Sequence, residues 1–171
     1  TALLRARADA IAPGRALDVA CGAGRNALWL AERGFTVDAV DISAAALARM
    51  MQVAEARALA VNPLEHDLDE PLSLDSDYQL VLMVRYVNLP LLQGLAKCLA
   101  PGGWLVCEQH LVSDADVIGP TSPHHRVAPG ALAAAVDGCL EIVLVEEGVV
   151  TEPDGRRAAL SQLIARRGFG N

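Results

Sequence analysis

The chain has 171 residues, of which 53% are hydrophobic and 20% are charged, with a formal net charge of -7 at pH 7. This length suits one domain, so residues 1–171 are predicted to fold as a single unit. The acidic balance and the presence of a single lysine, Lys97, argue against a nucleic-acid partner, because phosphate binding requires clustered basic residues. No apolar run reaches the roughly 20 residues that cross a bilayer, which argues against a membrane protein.

Strand-like apolar runs alternate with runs of helical spacing along most of the chain. Ser43 and Asn88 stand where their side chains can cap the N-termini of two predicted helices. This alternation predicts an α/β fold in which a mostly parallel sheet carries helices on both faces. Strands are predicted over residues 16–20, 35–41, 61–66, 78–84 and 103–110, and helices over 26–33, 44–59 and 89–99.

The last third of the chain departs from this alternation. A loop over residues 110–126, rich in Pro, His and Ser, leads to a short predicted helix over 131–136. Residues 140–150 and 157–166 both have strand character, and the Glu-Pro-Asp-Gly sequence at 152–155 is a turn signal. The sheet is therefore predicted to have seven strands and to end in an antiparallel hairpin.

A glycine turn follows the first predicted strand. Gly22 and Gly24 allow backbone N–H groups to approach a ligand, and a helix begins immediately afterwards, so the ligand meets a helix N-terminus. Asp41 ends the next apolar strand, and a carboxylate there can accept hydrogen bonds from both hydroxyl groups of a ribose. Together these features predict a site for a nucleoside cofactor.

Two classes of cofactor fit this turn. The spacing of Gly22, Gly24 and Ala27 satisfies the dinucleotide fingerprint, which leaves an NAD-dependent oxidoreductase as one hypothesis. Asp18 disfavours that hypothesis, since a carboxylate in the strand end would repel a pyrophosphate. The same carboxylate suits S-adenosylmethionine, which carries an ammonium and a sulfonium group and no phosphate.

Several segments resemble the motifs of class I S-adenosylmethionine-dependent methyltransferases, in the expected order. Residues 18–24 (Asp-Val-Ala-Cys-Gly-Ala-Gly) look like the first motif, and 40–43 (Val-Asp-Ile-Ser) look like the second. Residues 99–105 resemble the Leu-x-Pro-Gly-Gly turn before the fifth strand, and the Gly-x-Gly-Arg-Asn run at 22–26 is similar to the tellurite-resistance-like group. The resemblance implies a Rossmann-like fold and transfer of a methyl group from S-adenosylmethionine to a small-molecule acceptor.

The resemblance also implies where the cofactor binds. Asp18 and the glycine turn would hold the methionine portion, Asp41 the ribose and Asp67 the adenine, while Arg85 would border the methyl group. Arg25 either covers the start of its helix or pairs with the cofactor carboxylate. The expected cofactor-binding residues are Asp18, Cys21, Gly22, Ala23, Gly24, Arg25, Asn26, Asp41, Ile42, Asp67, Leu68 and Arg85.

Glu108, His125 and Arg126 are the candidate catalytic residues on the acceptor side. Methyl transfer depends mainly on alignment of the acceptor, and a base is needed only when the acceptor is protonated. Glu108 stands where the tellurite-resistance-like group has a strand-ending acid, and residues 126–130 resemble its Arg-x-x-Pro-Gly segment, although Ala131 replaces the following Glu. The acceptor stays open between a thiol, a metalloid oxyanion, a carboxylate and a hydroxyl group, with residues 110–126 expected to cover it.

A non-catalytic module that binds S-adenosylmethionine, or serves as a partner subunit, is the second hypothesis. Few residues precede the first predicted strand, whereas related enzymes often cover the acceptor with an N-terminal helical cap. The spacing of the four cysteines matches neither a metal site nor a redox pair, and no secretory signal is recognised, so a cytoplasmic protein without a bound metal is expected. A homo-oligomer is left open.

Overall fold

The computed structural model describes residues 1–7, 10–74 and 77–169. Its strands are β1 (Arg15–Val19), β2 (Thr36–Asp41), β3 (Val61–Glu65), β4 (Tyr78–Val84), β5 (Leu99–His110), β6 (Glu141–Thr151) and β7 (Arg157–Arg166). Within these described residues they form one seven-stranded sheet of order β3-β2-β1-β4-β5-β7-β6. The first five strands pair in parallel, and β7 pairs antiparallel with both β5 and β6. The predicted sheet with its C-terminal hairpin is confirmed.

Helices cover both faces of the sheet. They are α1 (Ala2–Arg7), α2 (Arg25–Ala31), α3 (Ala44–Ala56), α4 (Leu89–Lys97) and α5 (Ala131–Val136). Alternate residues of each central strand face opposite sides: Leu17 packs in the core cluster that includes α4 and α5, whereas its neighbour Ala16 packs in the cluster of α1, α2 and α3. The central strands are therefore largely apolar, as expected for a sheet covered on both sides, with Asp18 of β1 as a buried exception.

The predicted caps are confirmed, while several predicted boundaries are shifted. The Ser43 hydroxyl accepts a hydrogen bond from the Ala46 N–H group, and the Asn88 side chain accepts one from Leu91. Helix α3 ends at Ala56 and not at residue 59, because the chain leaves the helical conformation over Arg57 and Ala58. Strand β5 begins at Leu99 and not at residue 103, since Leu99 already pairs with Tyr78 before a shift of register.

Helix α1 has no counterpart among the predicted elements. Leu3 and Leu4 are buried in the same cluster as Leu30 of α2. The helix lies across the end of β5, where the Thr1 hydroxyl donates a 2.6 Å hydrogen bond to Glu108. Sequence periodicity did not indicate it because the helix is only 6 residues long.

In the part of the chain that the structure describes, no helix is long and apolar enough to cross a membrane. The same part contains no group of His, Cys, Asp or Glu side chains arranged to hold a metal ion. The cysteines are free thiols: Cys21, Cys98, Cys107 and Cys139.

Candidate functional site

The glycine turn between β1 and α2 depends on left-handed backbone conformations. Gly22 has φ of +55° and Gly24 has φ of +77°, a region that residues with a Cβ rarely adopt. A Cβ at Gly24 would overlap the Met50 side chain of α3, so this glycine is required for helix packing. At Gly22 a Cβ would have no atom within 4 Å, so the outer face of the turn is open to a ligand.

Asp18 lies beneath this turn and is 1% exposed. Burial raises the pKa of its carboxyl group to about 7, although a hydrogen bond from the Ala27 backbone acts in the opposite direction. Among the described residues, no donor reaches its Oδ2 atom. An unpartnered buried carboxyl oxygen is costly, and a donor supplied by a ligand would remove that cost.

Asp41 ties the end of β2 to the glycine turn. Its Oδ2 accepts a 2.7 Å hydrogen bond from the Gly22 N–H group, and its Oδ1 accepts a 2.9 Å bond from Ser43. Each carboxylate oxygen can accept a further hydrogen bond, so the group can still bind the hydroxyls of a sugar. Ile42, the next residue, is 62% exposed, which leaves an apolar side chain accessible beside the turn.

The segment after β3 lies beside the end of β2. The His66 N–H group donates a 3.1 Å hydrogen bond to the Asp41 carbonyl oxygen. Asp67 is exposed and its Oδ1 accepts a 3.0 Å bond from the Asp69 N–H group, whereas Leu68 is buried in the core. The Asp67 side chain is therefore accessible and Leu68 anchors the segment.

The first turn of α2 presents both exposed and buried side chains. Ala23 and Arg25 are exposed, and no hydrogen bond or ion pair from Arg25 is seen in residues 1–7, 10–74 and 77–169. Asn26 is buried and its Oδ1 accepts a 2.8 Å bond from the Thr1 nitrogen.

Burial raises the pKa of the Cys21 thiol to about 12, so this thiol stays protonated and unreactive.

Arg85, which follows β4 with φ of +62°, is the centre of a second group of polar side chains. Its Nε donates a 3.2 Å hydrogen bond to Glu108, its Nη2 donates a 2.5 Å bond to Glu152, and its Nη1 lies 2.9 Å from the His110 Nε2. Glu108 also accepts bonds from the Thr1 hydroxyl at 2.6 Å and from Gln162 Nε2 at 2.7 Å. We call this group the Arg85 cluster; it consists of Arg85, Glu108, His110, Glu152, Thr1 and Gln162.

The Arg85 cluster contains an ionised acid and a neutral imidazole. Burial raises the pKa of Glu108, but hydrogen bonds from Thr1 and Gln162 and the charge of Arg85 outweigh it, so the pKa falls below its ordinary value. Burial, together with the charges of Arg85 and Arg126, lowers the pKa of His110 to about 4. Neither group is therefore suited to take a proton at neutral pH.

The segment between β5 and α5 is held by its own side chains. The Arg126 guanidinium donates 2.9 Å and 2.8 Å hydrogen bonds to the carbonyl oxygens of Pro120 and Leu111. Gly119 lies between the His110 ring and this guanidinium, with no room for a Cβ. His125 is exposed in a 3₁₀ turn over Pro123–His125.

A family model described as a methyltransferase domain matches residues 16–103. The chain belongs to the methyltransferase-domain family. The matched region of this methyltransferase domain contains the glycine turn, Asp18, Asp41, the segment after β3 and Arg85.

Solved structures share the fold of this methyltransferase domain. TehB from Haemophilus influenzae superimposes with a TM-score of 0.80 at 20% identity, over 97% of this chain and 61% of TehB. The N-methyltransferase NodS from Bradyrhizobium japonicum gives a TM-score of 0.76 at 18% identity, over 98% of this chain and 93% of NodS. Geranyl diphosphate C-methyltransferase from Streptomyces coelicolor A3(2), solved with Mg²⁺, geranyl diphosphate and S-adenosyl-L-homocysteine, gives 0.75 at 16% identity, over 97% of this chain and 80% of that enzyme.

A curated relative matches part of the chain. Hemagglutinin 1 from Eikenella corrodens is 35% identical over 78 residues, which are 46% of this chain and 26% of that protein. The chain thus spans about a quarter of the length of this relative, with 26% covered, and under two thirds of TehB, with 61% covered.

The predicted site residues of the methyltransferase domain fall into distinct groups. Gly22 and Asp41 are joined by a hydrogen bond, and Asp18 lies beneath the turn that contains Gly22. Arg85 and Glu108 are paired at the ends of β4 and β5, whereas the Arg126 guanidinium is used inside its own loop. Sequence reasoning missed Thr1, Glu152 and Gln162, because no local motif links them to β4 and β5.

Proposed function

We propose that this domain binds S-adenosylmethionine at the carboxyl ends of β1 and β2 and transfers its methyl group to a small-molecule acceptor. The observation that carries the proposal is the unpartnered Oδ2 of Asp18 beneath the open glycine turn. The ammonium group of the cofactor would supply the missing partner, directly or through water. A dinucleotide would instead bring a pyrophosphate towards this carboxyl group.

Other residues at the same edge fit the rest of the cofactor. Asp41 would accept hydrogen bonds from the ribose hydroxyls with the lone pairs that Gly22 and Ser43 leave available. The exposed Ile42 side chain would pack against the adenine ring, and Asp67 would bind its amino group. Arg25 is exposed and would pair with the cofactor carboxylate.

When bound, S-adenosylmethionine supplies a methyl group that is already activated by a sulfonium. The chain then contributes alignment, because its nearest acid and imidazole are both poor bases: Glu108 has a lowered pKa and the pKa of His110 is about 4. Arg85 and Glu108 occupy the carboxyl edge of the sheet, where open α/β sheets bind ligands. They would position an acceptor that already carries its lone pair, while His125 is the proposed contact from the loop.

The decisive experiment combines turnover with cofactor binding. Small thiols, selenite, carboxylates and phenols are incubated with S-adenosylmethionine, and formation of S-adenosylhomocysteine is quantified. We expect turnover of at least one acceptor, and Asp41→Ala should weaken cofactor binding by about 1.5 to 3 kcal/mol, the value of hydrogen bonds to a charged group. Asp38→Asn is the matched control, since Asp38 lies in the same strand but binds Arg15, Asn62 and Tyr78.

Each outcome separates the hypotheses. Unchanged cofactor affinity in Asp41→Ala would show that Asp41 does not bind the ribose. Cofactor binding without turnover of any acceptor class would contradict the transferase proposal and favour a non-catalytic binding module. Loss of affinity in Asp38→Asn equal to that in Asp41→Ala would indicate a general effect on β2.

A further inference from the structure

We infer that Arg85 forms a binding site for a carboxylate group of the methyl acceptor, and that Glu152 occupies this site from within the chain. The inference rests on the proposed function and names the class of its acceptor. Glu152 lies at the start of the turn between β6 and β7, and its side chain reaches across to Arg85 at the end of β4. A carboxylate is thus already held at the edge of the sheet where an acceptor would bind.

The two carboxylates that Arg85 binds differ in how firmly they are held. Glu108 has a side chain 5% exposed and accepts hydrogen bonds from Thr1 and Gln162 as well as from Arg85. Glu152 has a side chain 25% exposed, and among the described residues its carboxylate forms a hydrogen bond and an ion pair with Arg85 alone. Glu108 is therefore a fixed part of the cluster, and Glu152 is the carboxylate that a ligand can replace.

The guanidinium geometry suits this exchange. Arg85 binds Glu108 through its Nε, with Nη2 also 3.2 Å from the Glu108 Oε1, and it directs Nη1 towards His110 and Nη2 towards Glu152. An edge formed by Nη1 and Nη2 can bind both oxygens of a carboxylate through parallel hydrogen bonds. Glu152 binds Nη2 through a single oxygen, Oε1, so a ligand carboxylate would gain a second hydrogen bond by sharing Nη1 with the His110 ring.

The surrounding charges favour an anion once Glu152 has moved away. Arg126 is the second cation near His110, and its guanidinium donates to carbonyl oxygens of Pro120 and Leu111. The His110 imidazole is neutral at pH 7 because its pKa is about 4. Of the charged side chains that act on the His110 ring, the cations Arg85 and Arg126 and the anion Glu108 remain when Glu152 has moved away, so a ligand carboxylate restores the balance.

The expected change in carboxylate affinity depends on how often Glu152 occupies the site on Arg85. A ligand that needs an open site binds more weakly in proportion to the fraction of molecules in which the site is open. Glu152→Gln keeps the shape of the side chain and removes its charge. If Glu152 occupies the site in about nine of ten molecules, this variant binds a carboxylate about tenfold more tightly than the wild-type chain.

The test uses benzoate as the carboxylate and benzamide as its neutral analogue, each titrated calorimetrically at constant ionic strength without cofactor. We expect Glu152→Gln to bind benzoate about tenfold more tightly than wild type and to show no gain for benzamide. Glu141→Gln is the matched control, since it removes the same charge from an exposed residue at the other end of β6, and it should bind benzoate as wild type does. Adding Arg85→Lys to Glu152→Gln should abolish the gain, because lysine keeps the charge near Glu108 but lacks the planar pair of donors.

Equal benzoate affinity in wild type and Glu152→Gln, or no measurable benzoate binding by either, would overturn the inference. A gain of the same size in Glu141→Gln, or one that survives Arg85→Lys, would overturn it as well. S-adenosylmethionine binding is titrated separately on the same proteins. Failure of that titration with the benzoate gain intact would reject the proposed cofactor and leave the carboxylate site standing.

Discussion

Burial gives the Asp18 carboxyl group a pKa of about 7 in the folded chain, compared with about 3.9 for an unfolded aspartate. Between these values the folded state holds a proton that the unfolded state has lost. Folding therefore takes up a proton in this range, and stability falls as the pH rises from about 4 to about 7. A ligand cation placed against Asp18 would favour the ionised form and release that proton.

We predict that Asp18→Asn has opposite effects on stability and on cofactor affinity. The amide is neutral at every pH, so the variant should avoid the loss of stability that the wild-type chain undergoes between about pH 4 and about pH 7, an effect on the order of a few kcal/mol. S-adenosylmethionine should bind it less tightly. Urea unfolding at about pH 5 and about pH 8, with calorimetry in buffers of different ionisation enthalpy, measures both the stability and the proton release.

Asp38→Asn controls for this pH effect. Burial raises the pKa of Asp38, but hydrogen bonds from Asn62, Tyr78 and Arg15 lower it by more, so the net pKa lies below its ordinary value. The stability that Asp38 contributes is therefore present above the unfolded pKa and is lost as the pH falls. Its substitution should therefore reduce stability at neutral pH, the reverse of Asp18→Asn. A wild-type chain whose cofactor binding releases no proton near pH 6 to 7 would contradict the role of Asp18.

At the scale of elements, the two glycines of the turn have different roles: Gly24 allows α3 to pack closely, and Gly22 leaves the outer face of the turn open. Gly24→Ala should lower stability by about 2 to 5 kcal/mol, since left-handed strain adds to overlap with Met50. Gly22→Ala carries the strain of about 1 to 2 kcal/mol without overlap, and should chiefly weaken cofactor binding, because its methyl group points into the open face of the turn. Thermal unfolding and cofactor titration of both variants distinguish these effects.

A double-mutant cycle with Met50→Ala tests the packing argument. If the overlap dominates, Gly24→Ala should cost less in the Met50→Ala background than in the wild-type chain, and Gly22→Ala should cost the same in both. Equal costs for Gly24→Ala in the two backgrounds would mean that backbone strain alone limits this position.

Local sequence signals predicted the strands and helices whose formation depends on residues near in sequence. The alternation of apolar runs indicated the strands, and the short polar side chains of Ser43 and Asn88 marked helix starts that the structure confirms. Helix α1 escaped prediction because its stability comes from burying Leu3 and Leu4 against α2 and not from its own periodicity.

The Arg85 cluster could not be predicted for a related reason. Arg85 stands at the end of β4, and its partner Glu152 comes from the far end of β6, two strands beyond β5 in the sheet. Their contact depends on the antiparallel register of β6, β7 and β5, which turn residues and apolar patterns do not specify. By contrast, Gly22 and Asp41 follow adjacent parallel strands, so their proximity was evident from the order of elements.

At the scale of the whole molecule, the sheet places every proposed cofactor contact at the carboxyl ends of neighbouring strands. The order β3-β2-β1-β4 brings Asp67, Asp41, the glycine turn and Arg85 to the same edge in sequence across the sheet. Strand β7 lies between β5 and β6 and directs the turn that carries Glu152 back over this edge. In the proposed function the hairpin therefore borders the acceptor, while the parallel strands hold the cofactor.

This division makes a prediction for the intact domain. S-adenosylhomocysteine at about a hundredfold excess over its Kd should add about 2.7 kcal/mol of apparent stability, which for a domain of this size raises the Tm by about 5 to 10 °C. NAD at equal concentration should give no comparable shift, because its pyrophosphate would lie towards the buried Asp18 carboxyl group.

Scanning fluorimetry on wild type and Asp41→Ala makes this comparison at fixed protein concentration. The S-adenosylhomocysteine shift should shrink in Asp41→Ala and persist in Asp38→Asn, since Asp41 is hydrogen-bonded to Gly22 whereas Asp38 binds Arg15, Asn62 and Tyr78. An NAD shift as large as that of S-adenosylhomocysteine in the wild-type chain would contradict the cofactor assignment. A shift that Asp41→Ala leaves intact would place the nucleoside away from β2, because the Asp41 carboxylate is the acceptor that both Gly22 and Ser43 orient at this edge.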